Sequence, residues 1–394
     1  MISLSDIYDK NISLLLGSGA SSGLFPTLDL RLTKDGDQRW SLEDLASRLE
    51  ETRDARYTPL FMHYYASCIR PAQVFNLENI QTEEGRGVAS NYKYLLETIL
   101  GMLHRRPAMS RRCNVFTTNY DGCIPLVADS MLRTGAYDFV LNDGTRGFRQ
   151  RILQARNFDA FYCQTGVFER HQVSVPQINL IHLHGSVYWK KFEDVIEVSY
   201  AASPSDDLLN AKERQILAPF SAALMNAELS IEQVPIPKFG TKQLDSFWSR
   251  YKKIPVVNPT KWKFHETLYE EHYYQMLRLL SYELEKPSAV LIVFGFSFRD
   301  EHILNLVKRS LANPQLQVFV CCHTSASYER IASLFRQHQN VKCLVLGGDE
   351  EMSFTEFNNR VLLQQPSSSF SPYGLSAAMP KPAAAATGDS KVSP

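Results

Sequence analysis

The residues with most chemical content stand in four short stretches. The first is ISLLLGSGASSG, 12 to 23, an apolar run followed by Gly17, Ser18, Gly19, Ser21 and Gly23. Glycines after a strand let the backbone turn sharply and approach a pyrophosphate, whose charge is stabilised by amide N–H groups at a helix N-terminus. The spacing, G-x-G-x-x-x-G, is one residue longer than the usual dinucleotide fingerprint, and a tight strand-to-helix turn explains it equally well. The second stretch is NVFTTNYDG, 114 to 122, in which an apolar strand runs out into Thr118, Asn119 and Asp121. Polar residues just past the C-terminal end of a parallel strand face the crevice where such folds bind ligands. Asp121 reads either as a ligand contact or as the cap of a helix starting near Ile124. Asn119 is harder to explain as a cap, because Tyr120 and an Asp-Gly pair precede that helix.

The third stretch, INLIHLHGSVYW, spans 178 to 189. On a strand, His182 and His184 share one side while Ile181 and Leu183 take the other. No acidic or cysteine partner stands at metal spacing, so a metal site is not indicated. A histidine at a strand's end, beside a glycine that leaves room for a ligand, suits a general base; here that is His184 before Gly185. The fourth stretch, AVLIVFGFSFRDEHI, spans 289 to 303. Its apolar strand stops at Gly295, and Ser297 follows in what reads as a second nucleotide-contact loop. Asp300 reads as a helix N-cap. His302, in the first turn, reads as solvated or packed rather than catalytic.

These loops need strands to hold them. Short apolar runs at Leu14–Leu16, Val115–Thr117, Ile178–Leu183, Val256–Val257, Val290–Phe294, Val318–Cys321 and Val341–Leu346 predict strands. Segments of helical period lie between them: Leu42–Arg53, Pro59–Ile69, Asn91–Leu103, His265–Glu285, Glu301–Leu311, Tyr328–Arg336 and Ser353–Leu363. Alternation of this kind predicts an α/β fold, a Rossmann-like parallel sheet with helices on both faces. Residues 30–110 and 140–253 interrupt the rhythm as helical and irregular insertions, so that 1–365 forms one catalytic domain. The stretch 366–394 has the Pro/Ser/Ala bias of a disordered tail.

Composition excludes several classes. Of 394 residues, 44% are hydrophobic and 21% charged, as in ordinary globular proteins. Basic and acidic residues number 42 each, which argues against a broadly electrostatic nucleic-acid or membrane binder. Arg105, Arg106, Arg111 and Arg112 form a local cluster that reads as a solvated helix end and loop. No apolar run approaches the ~18–20 residues of a membrane span, and no signal peptide is visible, so a cytoplasmic location is expected. The 7 cysteines are scattered without a C-x-x-C pair, predicting reduced, mostly buried thiols and no zinc ribbon. Cys123 lies near the second motif, but nothing marks it as a nucleophile.

The order GSGASSG, TTNYD, IHLHGS, FGFSFRD resembles the sirtuin superfamily, and within it the zinc-free, bacterial NAD+-hydrolase branch that acts in antiphage defence. The resemblance covers the core elements of residues 11–325. It implies that Gly17, Ser18, Gly19 and Ser21 line the phosphate and ribose of NAD+, with Thr118 beside them. It implies that Asn119 holds the nicotinamide ribose or the attacking water, that Asp121 contacts the carboxamide, and that His184 is the catalytic base. Gly295 and Ser297 would face the nucleotide from the later loop, and no metal is implied. Two departures weaken a protein-deacylase reading. The zinc module of the deacylases is missing, and Pro26 leads into Thr27, Leu28 and Asp29 where they carry Pro-Asp-Phe-Arg, leaving Arg31 out of register.

The chemistry suits this residue set. Nicotinamide leaves NAD+ neutral and needs no proton donor, so the carboxylate pair of ordinary glycoside hydrolysis is not required. The resemblance further implies a homo-oligomer that drains NAD+ in abortive defence beside a partner. The chain has no P-loop of its own, which makes a HerA-type hexameric ATPase the expected partner. Two other readings stay open: a non-catalytic NAD or ADP-ribose sensor, and a nuclease subunit of a defence complex.

Overall fold

The computed structural model describes residues 7, 9–26, 29–34, 38–107, 111–165, 172–193, 195–201, 206–258, 271–348 and 350–362. Seven apolar segments pair in parallel: β1 (Asn11–Leu16), β2 (Arg112–Thr117), β3 (Val140–Asn142), β4 (Gln177–His182), β5 (Ala289–Phe294), β6 (Gln317–Cys321) and β7 (Val341–Leu344). Their order is β7-β6-β5-β1-β2-β4-β3, with β1 central. The chain leaves β1 toward β2 and later returns to its other side as β5, so the connections diverge there. In such sheets ligands bind beyond the carboxyl ends of the strands at that divergence.

Both faces are covered, which is why β4 and β5 are buried along their whole length and read as continuous runs. One face packs Leu14, Val115 and Ile292 under α3 (Glu83–His104) and α4 (Cys123–Arg133), with Phe354 and Phe357 of the C-terminal segment. The other packs Leu15, Phe116 and Leu291 under α7 (Glu271–Leu284), α8 (Glu301–Ser310) and α9 (Ser325–Leu334). Register across β2, β4 and β3 is fixed by buried amides. Asn179 Nδ2 donates to Asn114 Oδ1 at 2.8 Å, and Asn142 Nδ2 to Asn179 Oδ1 at 3.0 Å.

The insertions are more ordered than their sequence implies. A third core joins α1 (Leu42–Glu51) and α2 (Tyr57–Tyr64) from the first insertion to α5 (Ala211–Leu224) and α6 (Thr241–Tyr251) from the second. Val187 and Tyr188, just past β4, pack into this core and tie it to the sheet. The second insertion also supplies β3 and the antiparallel sheet of Trp189–Phe192, Val195–Val198, Ile152–Leu153 and Thr145–Arg146. The first insertion ends sooner than expected, because α3, which begins at Glu83, is the β1-to-β2 crossover helix.

Two further expectations change. Val256 makes only an isolated bridge to Gly185 and is not a strand of the sheet. Arg106 is 6% exposed rather than solvated: its guanidinium donates to the backbone carbonyls of Arg112 and Lys10. Five of the cysteines, 68, 113, 123, 321 and 322, are buried. Among the described residues no helix is long and apolar enough to cross a membrane. Contacts divide the chain into 1–363 and 364–394. All described residues belong to the first unit, and the expected tail lies outside them, as do Thr27, Leu28 and residues 265–270 of the helix expected from His265.

Candidate functional site

The glycine loop follows β1, but no α-helix follows the loop. Ser18–Ser21 form one 3₁₀ turn, and Gly23 then takes φ +92°, a left-handed backbone that ends any helical run. Nor do the glycine amides stand free. Gly17 N–H donates to Phe294 O and Gly19 N–H to Gly295 O, both at 3.0 Å. The glycines are required by this loop-to-loop contact. A Cβ on Gly17 would lie 2.4 Å from Gly295 O, and Gly295, at φ +65°, would place one 2.5 Å from Ala20 N. The first and fourth motifs therefore lock together at the divergence of the sheet. Ser18 is exposed and Ser297 half-buried, the latter's carbonyl accepting from Arg330 Nη1 at 2.9 Å.

The second motif is held by the end of β2. Thr117 Oγ1 donates to Leu16 O at 3.1 Å and accepts from Asn119 N–H at 2.9 Å, while Thr118 N–H also donates to Leu16 O. The loop after β2 is thus tied to the end of β1, and it delivers two side chains to Ser21.

Ser21 is 3% exposed and is the hub. Its hydroxyl donates to Asp121 Oδ2 at 2.6 Å and accepts from Asn119 Nδ2 at 3.1 Å. Tyr92 OH, from α3, lies 2.8 Å away. A serine hydroxyl has one proton and two acceptor positions. With that proton on the carboxylate, Tyr92 must donate, and all three positions are filled. Asp121 Oδ1 meanwhile accepts from Cys123 N–H at 2.9 Å, at the start of α4. Asp121 is not the N-cap residue, which is Gly122; one carboxylate oxygen accepts from the first N–H of α4 and the other from Ser21. Burial raises the Cys123 thiol well above its ordinary pKa, so it is not poised as a nucleophile.

The two histidines of the third motif part company. β4 ends at His182, so strand alternation does not reach His184. His182 Nδ1 lies 2.9 Å from Asn119 O. His184 Nε2 instead lies 3.2 Å from Nε2 of His302 on α8, with ring centroids 5.3 Å apart. One of these two nitrogens carries the hydrogen and the other accepts it, so the accepting ring is neutral. Asn119 and His184 are not hydrogen-bonded to each other. His302 is packed, as its sequence context indicates. Asp300 occupies the N-cap position of α8, but its side chain makes no cap hydrogen bond.

The space beside Gly185 is taken. Gly185 has φ +79°, and a Cβ there would lie 1.9 Å from Pro255 O; Val257 N–H donates to His184 O at 2.9 Å. The room expected for a ligand is filled by the backbone of residues 255–257. Beyond that segment a cavity of about 810 Å³ opens between Trp248, Tyr251 and Tyr273. It holds no motif residue, and its size alone does not make it the site. The motif residues line a cavity of only about 10 Å³, bounded by Tyr92, Thr117, Asn119, Asp121 and His182. That volume holds roughly one water.

No family model matches the chain, and no curated protein matches it. Among the described residues no group of three or more His, Cys, Asp or Glu side chains is placed to hold a metal ion. The sequence missed Tyr92 and the partners of the two histidines. Tyr92 lies mid-helix with no local signal, and the histidine partners depend on where β4 ends.

Proposed function

We propose that this protein binds NAD+ beyond the carboxyl ends of β1, β2 and β5 and hydrolyses the ribose–nicotinamide bond, releasing nicotinamide and ADP-ribose. The observation that carries the proposal is the meeting of Ser21, Asn119 and Asp121, from two motifs about a hundred residues apart, in one hydrogen-bonded cluster. In this reading Gly17, Ser18, Gly19 and Thr118 line the nucleotide beside Gly295 and Ser297. The Asp121 carboxylate accepts from the carboxamide N–H. The Asn119 amide orients a ribose hydroxyl or the water, and His184 takes the water's proton through Nε2 once its contact with His302 is broken.

A cavity of about 10 Å³ admits no dinucleotide, so turnover requires the segments around the cluster to part. Such closure supports an enzyme held idle until triggered, as abortive antiphage defence demands. A homo-oligomer and a HerA-type hexameric ATPase are the proposed assembly and activator, in a bacterial cytoplasm. The pairing of His184 with His302, rather than with Asn119, favours one alternative: a non-catalytic NAD or ADP-ribose sensor.

Incubation of the full chain with NAD+, alone and with the product of its genetic neighbour, separates these readings. Chromatographic release of nicotinamide and ADP-ribose supports the hydrolase, and release only with the neighbour makes that protein the activator. NAD+ that binds but stays intact under every condition, phage extract included, leaves the sensor.

A further inference from the structure

His182 plays no part in the reaction outlined above, yet it touches the cluster more directly than His184 does. It is 3% exposed, and its Nδ1 lies 2.9 Å from Asn119 O. A carbonyl oxygen only accepts, so Nδ1 carries the hydrogen and donates it. The ring is braced by Trp189, whose indole meets it edge-on with centroids 5.9 Å apart. Its other nitrogen, Nε2, is buried and has no hydrogen-bond partner among the described residues. Buried polar atoms are rarely left so.

Burial pulls this histidine's pKa down, against the Asn119 carbonyl and the more distant Asp121 and Asp143, all of which favour the charged ring. Neutral and protonated on Nδ1, the ring keeps a lone pair on Nε2. His182 also lines the small cavity shared by Asn119, Asp121 and Tyr92, with Ile124 and Pro125 of α4 across from it.

We propose that His182 is a positioning residue: its Nδ1–H fixes the Asn119 carbonyl and hence the course of the 118–121 loop, while its Nε2 accepts from a single O–H donor in the cavity. That donor is a water or a ribose hydroxyl. The role in turnover rests on the NAD+-hydrolase reading; the tautomer and the acceptor do not.

The test begins without turnover. Long-range ¹H–¹⁵N spectra of the full chain, labelled at histidine and assigned by loss of one signal in His182→Phe, report the tautomer directly. A neutral Nδ1–H form at pH 7 is expected. An Nε2–H form, or an imidazolium already at pH 7, overturns the proposal. Addition of ADP-ribose, with its binding shown independently by calorimetry, identifies the donor: an altered Nε2 shift marks the ribose hydroxyl, and an unaltered one marks a water.

Kinetics then read the positioning. Asparagine places an amide N–H near the position of Nδ1, so His182→Asn keeps kcat within about tenfold of wild type, whereas folded His182→Phe loses about a hundredfold. Equal losses in the two variants overturn the positioning role. If the wild-type chain leaves NAD+ intact in every condition, the hydrolase reading fails while the spectra still decide the state of His182.

Discussion

Ser21 Oγ donates to Asp121 Oδ2 at 2.6 Å, joining the loop after β1 to the loop after β2 across a hundred residues of chain. The same hydroxyl accepts from Asn119 and Tyr92, so one buried atom organises the polar groups at the carboxyl edge of the sheet. Its removal has a definite consequence. Ser21→Ala leaves a part-buried carboxylate oxygen and a buried tyrosine hydroxyl each short of a partner, which costs about 1–3 kcal/mol. With Asn119 released, NAD+ turnover falls about a hundredfold. Denaturant unfolding and nicotinamide release check the two effects separately.

Asp121→Asn tells support of α4 from chemistry. The amide oxygen still accepts from Cys123 N–H, so α4 keeps its start and stability falls by only about 1–2 kcal/mol. The negative charge that would receive a carboxamide N–H is gone, and KM for NAD+ rises at least about tenfold. An unchanged KM in a folded variant removes Asp121 from the binding site and leaves it a support for the start of α4.

The contact between the glycine loops makes its own prediction. Gly295→Ala forces a Cβ to 2.5 Å from Ala20 N in a left-handed backbone, costing about 2–4 kcal/mol. Gly348 has a similar φ of +70° but open space where a Cβ would sit. Gly348→Ala therefore costs only about 1–2 kcal/mol. Urea midpoints that shift equally in both variants contradict the close approach of the loops.

A buried histidine on α2 contributes to the acid response. His63 Nδ1 lies 2.9 Å from Ser221 Oγ, and burial lowers its pKa from 6.5 to about 4. The unfolded chain binds a proton as pH falls through 6.5 while the folded chain does not, so this contribution to stability is lost between pH 6.5 and about 4. The loss from this group at pH 5 is about 2 kcal/mol. His63→Gln flattens the dependence, which unfolding free energies at pH 7 and pH 5 check. An equal acid loss in variant and wild type contradicts it.

How much of this was legible depended on range. Strands such as Ala289–Phe294 stand out because burial on both faces makes them continuous apolar runs. The three-residue β3 did not, being short and only half-buried. Ala211–Leu224 was hidden by Pro219 in its interior, although Asn210 and Glu213 at its start form a capping box that the sequence displays. The meeting of Ser21 with Asn119 follows from two loops at the same ends of adjacent parallel strands. Whether the glycine amides face a ligand or the Gly295 loop depends on a contact across the sheet, which no local pattern encodes. The divergence of His182 and His184 depends on β4 ending one residue earlier than its apolar run implies.

The most direct test of the account is nicotinamide release from NAD+ by wild type and Asn119→Ala, each with the neighbouring gene's product present and each shown to be folded by thermal melting. The account predicts release by the wild type and a loss of at least about a hundredfold in the variant. Equal release by both proteins would contradict it, because the side chain that links the two motifs at Ser21 would then have no part in breaking the bond.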